Sequence, residues 1–267
     1  MRSYQQTGAF YLGGYPTTRH IDRYFTCQRY PKGVLYFASF TGVLAILLGI
    51  LDFWWLFAVC AVLFFLVLTM LLLRAKFIPT HRQYDEWLEM TENELDTYSR
   101  DRLRREHGKI VPKGICMHSF VLPDSDLSSR YAVTKVVWKE GKDRVLRFSF
   151  IVFTFFYPTE GYIAVYTYHV NVLNHYEVVP ERNRVYSYTH IVEITISTNR
   201  DSACFNNHVY SYRTARVSLR AIHDDIKIGA YISAEAIGRN SEQAPQISVD
   251  VDRIINHLNG IVISKWR

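Results

Sequence analysis

Residues 34–73 read VLYFASFTGVLAILLGILDFWWLFAVCAVLFFLVLTMLLL, forty positions with one acidic residue, Asp52, and no basic one. As a single helix this stretch would be about 60 Å long, twice the hydrocarbon thickness of a bilayer. It must fold back or break. The break is legible at residues 49–55, GILDFWW, where a helix-weakening glycine, the lone charge and two interface-suited tryptophans, Trp54 and Trp55, come together. The pattern predicts one span near 34–51 and a second near 53–73, joined by a turn carrying Asp52, Trp54 and Trp55. Residues 63–73 have no polar face, which argues against a buried hairpin of a soluble protein. Ser39, Thr41 and Gly42 in the first span are small enough to let two helix backbones approach.

Flanking charge sets the expected orientation. Arg19, Arg23, Arg29 and Lys32 precede the first span, Arg74, Lys76 and Arg82 follow the second, and the connection has no Lys or Arg. The positive-inside rule then puts both termini in the cytoplasm and the turn outside. No cleavable signal peptide is expected, because the first apolar run starts about thirty residues in and no small-residue cleavage site follows it.

A chain of 267 residues has room for such an anchor and one medium domain. Its net charge of +6 is no nucleic-acid footprint by itself, so nucleic acid is not an expected partner. The aromatic fraction, 15%, is mostly Tyr and Phe, residues that favour strands and membrane interfaces. Cys27, Cys60, Cys116 and Cys204 lie far apart with no CxxC spacing, which predicts free thiols in a reducing compartment.

Beyond Pro79-Thr80-His81 a helical pattern runs to about His107, with Gly108 placed to stop it. Tyr84, Trp87, Leu88, Thr91, Leu95, Tyr98 and Leu103 make one apolar stripe, suited to packing on the soluble domain or on a second subunit. Acidic residues come first and Arg100, Arg102, Arg104, Arg105 and Lys109 last, which complements the helix dipole. The four arginines are also candidates for contact with a membrane surface.

After a Pro- and Ser-bearing segment, 111–130, strand patterning dominates at 144–156, 162–173, 184–197, 209–222 and 226–237, with a shorter strand at 132–138. Turn-like separators fall at 140–143, 158–161, 180–183, 199–207 and 223–225. A helix is expected from about Asp250 to Val262, with Ile254, Ile255, Leu258, Ile261 and Val262 as its apolar stripe. The expected fold is thus a membrane α-helical hairpin plus an α+β soluble domain. In that domain an antiparallel sheet or small barrel is closed by a C-terminal helix, an order shared with pleckstrin-homology-like barrels. The expected organisation is an N-terminal cytoplasmic segment (1–33), the hairpin (34–73), a charged connector helix (74–110) and a β-rich cytoplasmic domain (111–267).

Arg147-Phe148-Ser149, Phe153-Thr154-Phe155-Phe156-Tyr157-Pro158-Thr159-Glu160, Ala164-Val165-Tyr166 and His190-Ile191-Val192-Glu193-Ile194 carry a resemblance. Together with Tyr84–Trp87 and the paired spans, they make the chain similar to a group of uncharacterised bacterial proteins with two transmembrane helices and a β-rich domain. The likeness covers roughly residues 30 to 265, and its most specific element is the Phe-Phe-Tyr-Pro-Thr-Glu run. It implies a bacterial inner-membrane protein and supplies no activity.

Motifs for chemistry are sparse. Cys116 and His118 offer two metal-capable side chains at i and i+2, but no second pair follows at zinc-site spacing, so no metal and no cofactor are expected. His169, His175 and His190 fall in or near strands, where a core or surface role is the commoner one. There is no phosphate loop, GxSxG elbow or HExxH helix. Asp224 and Asp225 are neighbours in a turn, where both carboxylates usually face water. Pro158 must end a strand or put it at an edge, and Thr159, Glu160 and Gly161 suit a turn there. Tyr157, Glu160, His169 and His190 are the ligand-binding candidates, because loops on β scaffolds commonly carry recognition.

The leading expectation is a non-enzymatic, membrane-anchored binding or assembly module at the cytoplasmic face of the membrane. Its partners would be the bilayer, further copies of itself through the hairpin or the connector helix, and a protein or small ligand. The alternative is a ligand-sensing, membrane-disrupting or pore-forming effector, as in phage defence. A third reading, a membrane-tethered enzyme, needs the histidines and Glu160 to converge. Within the spans there is no charge to mark a transport path.

Overall fold

Helices α1 (Thr18–Thr26), α2 (Lys32–Ile50), α3 (Trp54–Phe77) and α4 (His81–His107) occupy the first part of the chain. The computed structural model describes residues 10–11, 18–26, 32–51, 53–108, 111–120, 136–141, 143, 145–173, 177–205, 208–222, 224–237 and 251–266. Two compact units result: Pro16–Asp85, and Glu86–Arg267 together with Met1–Tyr15.

In the first unit α2 and α3 pair. Both α2 and Trp54–Arg74 within α3 are long and apolar enough to cross a membrane. The buried side of α2 is made of small residues, Ala38, Thr41 and Ala45. Beside them, Phe64 and Phe57 of α3 lie 3.3 Å from where a Cβ on Gly42 or Gly49 would stand, so bulkier residues would push the helices apart. Ser39, expected with this small-residue face, is instead exposed. Thr41 donates to the carbonyls of Phe37 and Ala38 at 3.0 Å, and Thr69 to that of Phe65 at 2.8 Å. Each hydroxyl is thereby satisfied within its own helix. The second helix runs past the predicted end at 73, with Arg74 and Lys76 in its last turn.

Helix α1 was not expected from sequence. It buries Ile21, Tyr24 and Phe25. Tyr24 stacks on Tyr84 with ring centroids 4.8 Å apart and shares a 2.9 Å hydrogen bond with His81 Nδ1. The start of α4 is a capping box: Thr80 N donates to Gln83 Oε1 (2.9 Å) and Gln83 N to Thr80 Oγ1 (3.2 Å). Its end falls where the sequence places it. Gly108 adopts φ +66°, and its N–H reaches the Arg104 carbonyl at 2.8 Å.

The second unit is built on strands β1 (Phe10–Tyr11), β2 (Ile115–Phe120), β3 (Trp138–Glu140), β4 (Leu146–Phe148), β5 (Phe150–Pro158), β6 (Tyr162–Asn171), β7 (Glu177–Ser187), β8 (Ile191–Phe205), β9 (His208–Ala221) and β10 (Asp224–Ile237), closed by helix α5 (Val251–Trp266). Eight strands form one antiparallel sheet in the order β1-β7-β6-β5-β2-β10-β9-β8, while β3 and β4 pair separately. Leu258 of α5 is fully buried in a core shared with Met117, Phe156, Val165, Tyr186, Ile191, Val217 and Leu219. The helix packs against β2, β8 and the turn that precedes β8.

Several expected boundaries move. The predicted strand 144–156 is two, because the chain bends at Ser149. Ser149 N donates to the Val137 carbonyl (2.8 Å), its Oγ accepts from Val137 N (2.9 Å), and its carbonyl accepts from Val172 N (3.0 Å). The predicted strand 184–197 is broken by a 3₁₀ turn at Tyr188–His190, where the Tyr188 hydroxyl donates to the Thr159 carbonyl at 3.1 Å. Residues 180–183, expected as a turn, lie within β7. A register shift there pairs Tyr168 with Pro180 and Thr167 with Arg182, and this bulge accommodates the proline. Strand β8 runs as far as Phe205, through most of the separator expected at 199–207. Asp224 and Asp225 belong to the β10 ladder, opposite Ala221 and Arg220. Strand β2 lies inside the segment read from sequence as irregular. The expected strand at 132–138 falls mostly outside the described residues.

Candidate functional site

Four polar residues of α4 recur at helical spacing: Glu92, Asp96, Ser99 and Glu106. Such spacing puts them on one helix face, and each meets a side chain of β2, β5 or β6, three neighbours in the sheet. His118 Nε2 lies 2.9 Å from Glu92 Oε2. The Tyr157 hydroxyl donates to Asp96 Oδ1 at 2.9 Å. The Ser99 and Tyr168 hydroxyls are 2.7 Å apart, and the Tyr166 hydroxyl donates to Glu106 Oε2 at 3.5 Å.

Asp96 is almost fully enclosed, 1% exposed. Its Oδ1 also accepts from Gly114 N (2.9 Å), and its Oδ2 pairs with Arg100 Nε (2.9 Å). The glycine is required: a Cβ at residue 114 would stand 2.6 Å from the Tyr157 ring. Burial, reinforced by the Asp96 carboxylate, pushes the Tyr157 hydroxyl far above its ordinary range, and burial does the same to Tyr168. Tyr166, desolvated and beside Glu106, is pushed up to about 12. All three phenols are therefore neutral donors at physiological pH.

At one end of this seam Cys116 joins Glu92 and His118. One ligand-capable atom from each lies within 4.8 Å of the others. The hydrogen bond from His118 is the main influence holding the Glu92 carboxyl below its ordinary range, while burial pushes the Cys116 thiol well up. His118 also sits edge-on to Phe153, centroids 4.9 Å apart. Cys116 and Cys60 are free thiols; Cys27 lies outside the described residues, as does the side chain of Cys204.

The sequence candidates do not converge. Tyr157 is in the seam, but it serves to hold α4. Glu160 is exposed in the β5–β6 turn, and His169 is buried near the other end of β6, against the Phe150 ring. The seven steps from Tyr162 to His169 span about 23 Å of strand. His190 is exposed in the 3₁₀ turn, and His175 and Asp52 lie outside the described residues. Of the candidate membrane-surface arginines, Arg100 is tied to Asp96. Arg102 bonds Glu106 at 2.7 Å and lies over the Tyr166 ring, whereas Arg104 and Arg105 are exposed. Trp54 and Trp55, the candidates for a membrane turn, are exposed, Trp55 to 89%. The sequence reading missed Glu92, Asp96 and Ser99. Their signal was the polar repeat itself, running beside the apolar stripe.

Comparison with family models, curated proteins and solved structures gave no match.

Proposed function

We propose that this chain is a bacterial inner-membrane protein whose α2–α3 hairpin anchors a binding or assembly module, without catalysis of its own, at the cytoplasmic face. The observation that carries this reading is the outward face of the hairpin. Phe40, Ile46, Ile50, Trp55, Phe65 and Met70 all stand exposed, in helices whose Thr41 and Thr69 hydroxyls are satisfied internally. A bilayer is the solvent that suits such a surface. Basic residues flank both spans and are missing from the connection, which supports two passes with both termini inside. The resemblance through residues 153–160 supports the bacterial assignment.

Two features favour binding over catalysis. The polar groups of the α4 seam bond one another and so serve to fix the helix. In addition β8, fifteen residues long, pairs only with β9 among the described residues and exposes Val192 and Ile196. A long edge strand of this kind accepts a further strand from a partner or a second copy. Within the same reading, antiparallel strands followed by a C-terminal helix are compared with pleckstrin-homology-like barrels by element order alone.

The test is a dual topology reporter fused after Arg267 combined with alkaline extraction of membranes. Membrane retention with a cytoplasmic reporter is expected; an extracytoplasmic reporter or a freely extracted protein would refute the proposal. The exposed Ser39 on α2 favours a second reading, in which hairpins associate into a pore. Dye leakage from vesicles carrying the purified chain separates the two, since an anchor releases none.

A further inference from the structure

We propose that Glu92, Cys116 and His118 form a zinc-type divalent-cation site that clamps α4 to β2. The donor set is one carboxylate oxygen, one thiol sulfur and one imidazole nitrogen, each within 4.8 Å of the others. Sulfur and imidazole together select a borderline-soft ion, whereas calcium and magnesium take oxygen ligands.

Geometry supports the choice. Zn–N and Zn–O bonds of about 2.0–2.2 Å and a Zn–S bond of about 2.3 Å place tetrahedral ligands about 3.3–3.7 Å apart. The Glu92–His118 pair, at 2.9 Å, has to open by a few tenths of an ångström. The widest pair has to close by about 1 Å, within reach of side-chain rotation. Cys116 and His118, two apart on β2, share one face of the strand. Glu92 is presented by a helix that is pinned one turn further on, where Asp96 binds Tyr157 and Gly114. The ligands are thus held by a supporting shell.

The side chains of His118 and Glu92 are 40% and 22% exposed, which leaves solvent access for the ion and for a water as fourth ligand. A plain Glu92–His118 ion pair would leave Cys116 without a role, and this difference makes the two readings separable.

The experiment uses the full chain in detergent micelles, stripped with chelator and then loaded with Zn²⁺ or, as a spectroscopic probe, Co²⁺. Expected are one zinc per chain after gel filtration and a near-ultraviolet cobalt–thiolate band that Cys116→Ser abolishes. Glu92→Gln should weaken zinc binding by at least the 10–100-fold (about) that follows loss of an outer-shell partner. No zinc above the buffer blank, or a band and stoichiometry unchanged in Cys116→Ser, would overturn the site. Both variants are nearly isosteric, and a folding defect in one leaves the other to decide.

Discussion

Phe65 of α3 and Phe155 of β5 are the same residue in opposite circumstances: the first is 63% exposed, the second fully buried. The contrast extends to their surroundings. In the α2–α3 pair, apolar side chains point every way and the threonine hydroxyls return to carbonyls of their own helix. In the sheet unit, eight consecutive residues of β5 are buried, and polar side chains reach across from α4 to the strands. Hydrophobic content alone does not separate the two regions. What separates them is where the polar groups find partners, which is set by whether the surrounding solvent can supply any.

Substituting the two phenylalanines is the strongest test of that contrast. Phe155→Ala should destabilise the sheet unit by about 3–5 kcal/mol in denaturant unfolding, whereas Phe65→Ala should change it by about 0.5 kcal/mol or less. Equal losses would erase the distinction. A charge on the hairpin comes next. Leu66→Arg, at an exposed position, should raise the free energy of membrane insertion by about 2.5–3.5 kcal/mol, read as loss of the chain from the membrane fraction. Unchanged partitioning would mean that this face does not meet lipid.

Smaller effects sharpen the sheet side. Gly114→Ala should cost about 1–3 kcal/mol, because the new methyl overpacks against Tyr157, and Tyr157→Phe in the same chain should not relieve it, since the ring remains. The smallest concerns Asp143, whose bond to Arg147 is the main influence lowering its carboxyl from the ordinary 3.8 to about 2. A carboxyl lowered on folding stabilises above its unfolded value and loses that contribution as pH falls through the folded one. The pair's stabilisation is therefore complete above about pH 4 and fades toward pH 2. With the Asp143 side chain 48% exposed, it amounts to less than about 1 kcal/mol. Asp143→Asn should flatten the acid limb of the stability profile by that amount and no more.

Long, strongly patterned elements were legible from sequence. Helices α2 and α3 follow from hydropathy, α4 from its apolar stripe and from Gly108, and β6, β9 and β10 from alternation. The breaks at Ser149 and Tyr188 were not, because each depends on hydrogen bonds to residues distant in sequence: Val137 and Val172 for the first, Thr159 for the second. Strand β2 was hidden for a related reason. It lies between β5 and β10 and its residues include Cys116, His118 and Ser119, so neither face alternates cleanly. The candidate site shared that fate. Glu92 and His118 are 26 residues apart and on different elements, and close spacing in sequence marks only Cys116 and His118, two of the three members.

The position of β2 also bears on how the protein is made. One edge of β2 pairs with β5, but its other edge waits for β10, where Phe120 meets Tyr231. About 110 residues separate those partners, and a ribosome adding 5–20 residues per second takes roughly 5 to 20 s to supply them. The nascent sheet spends that interval with an open central edge, a template on which another chain could pair.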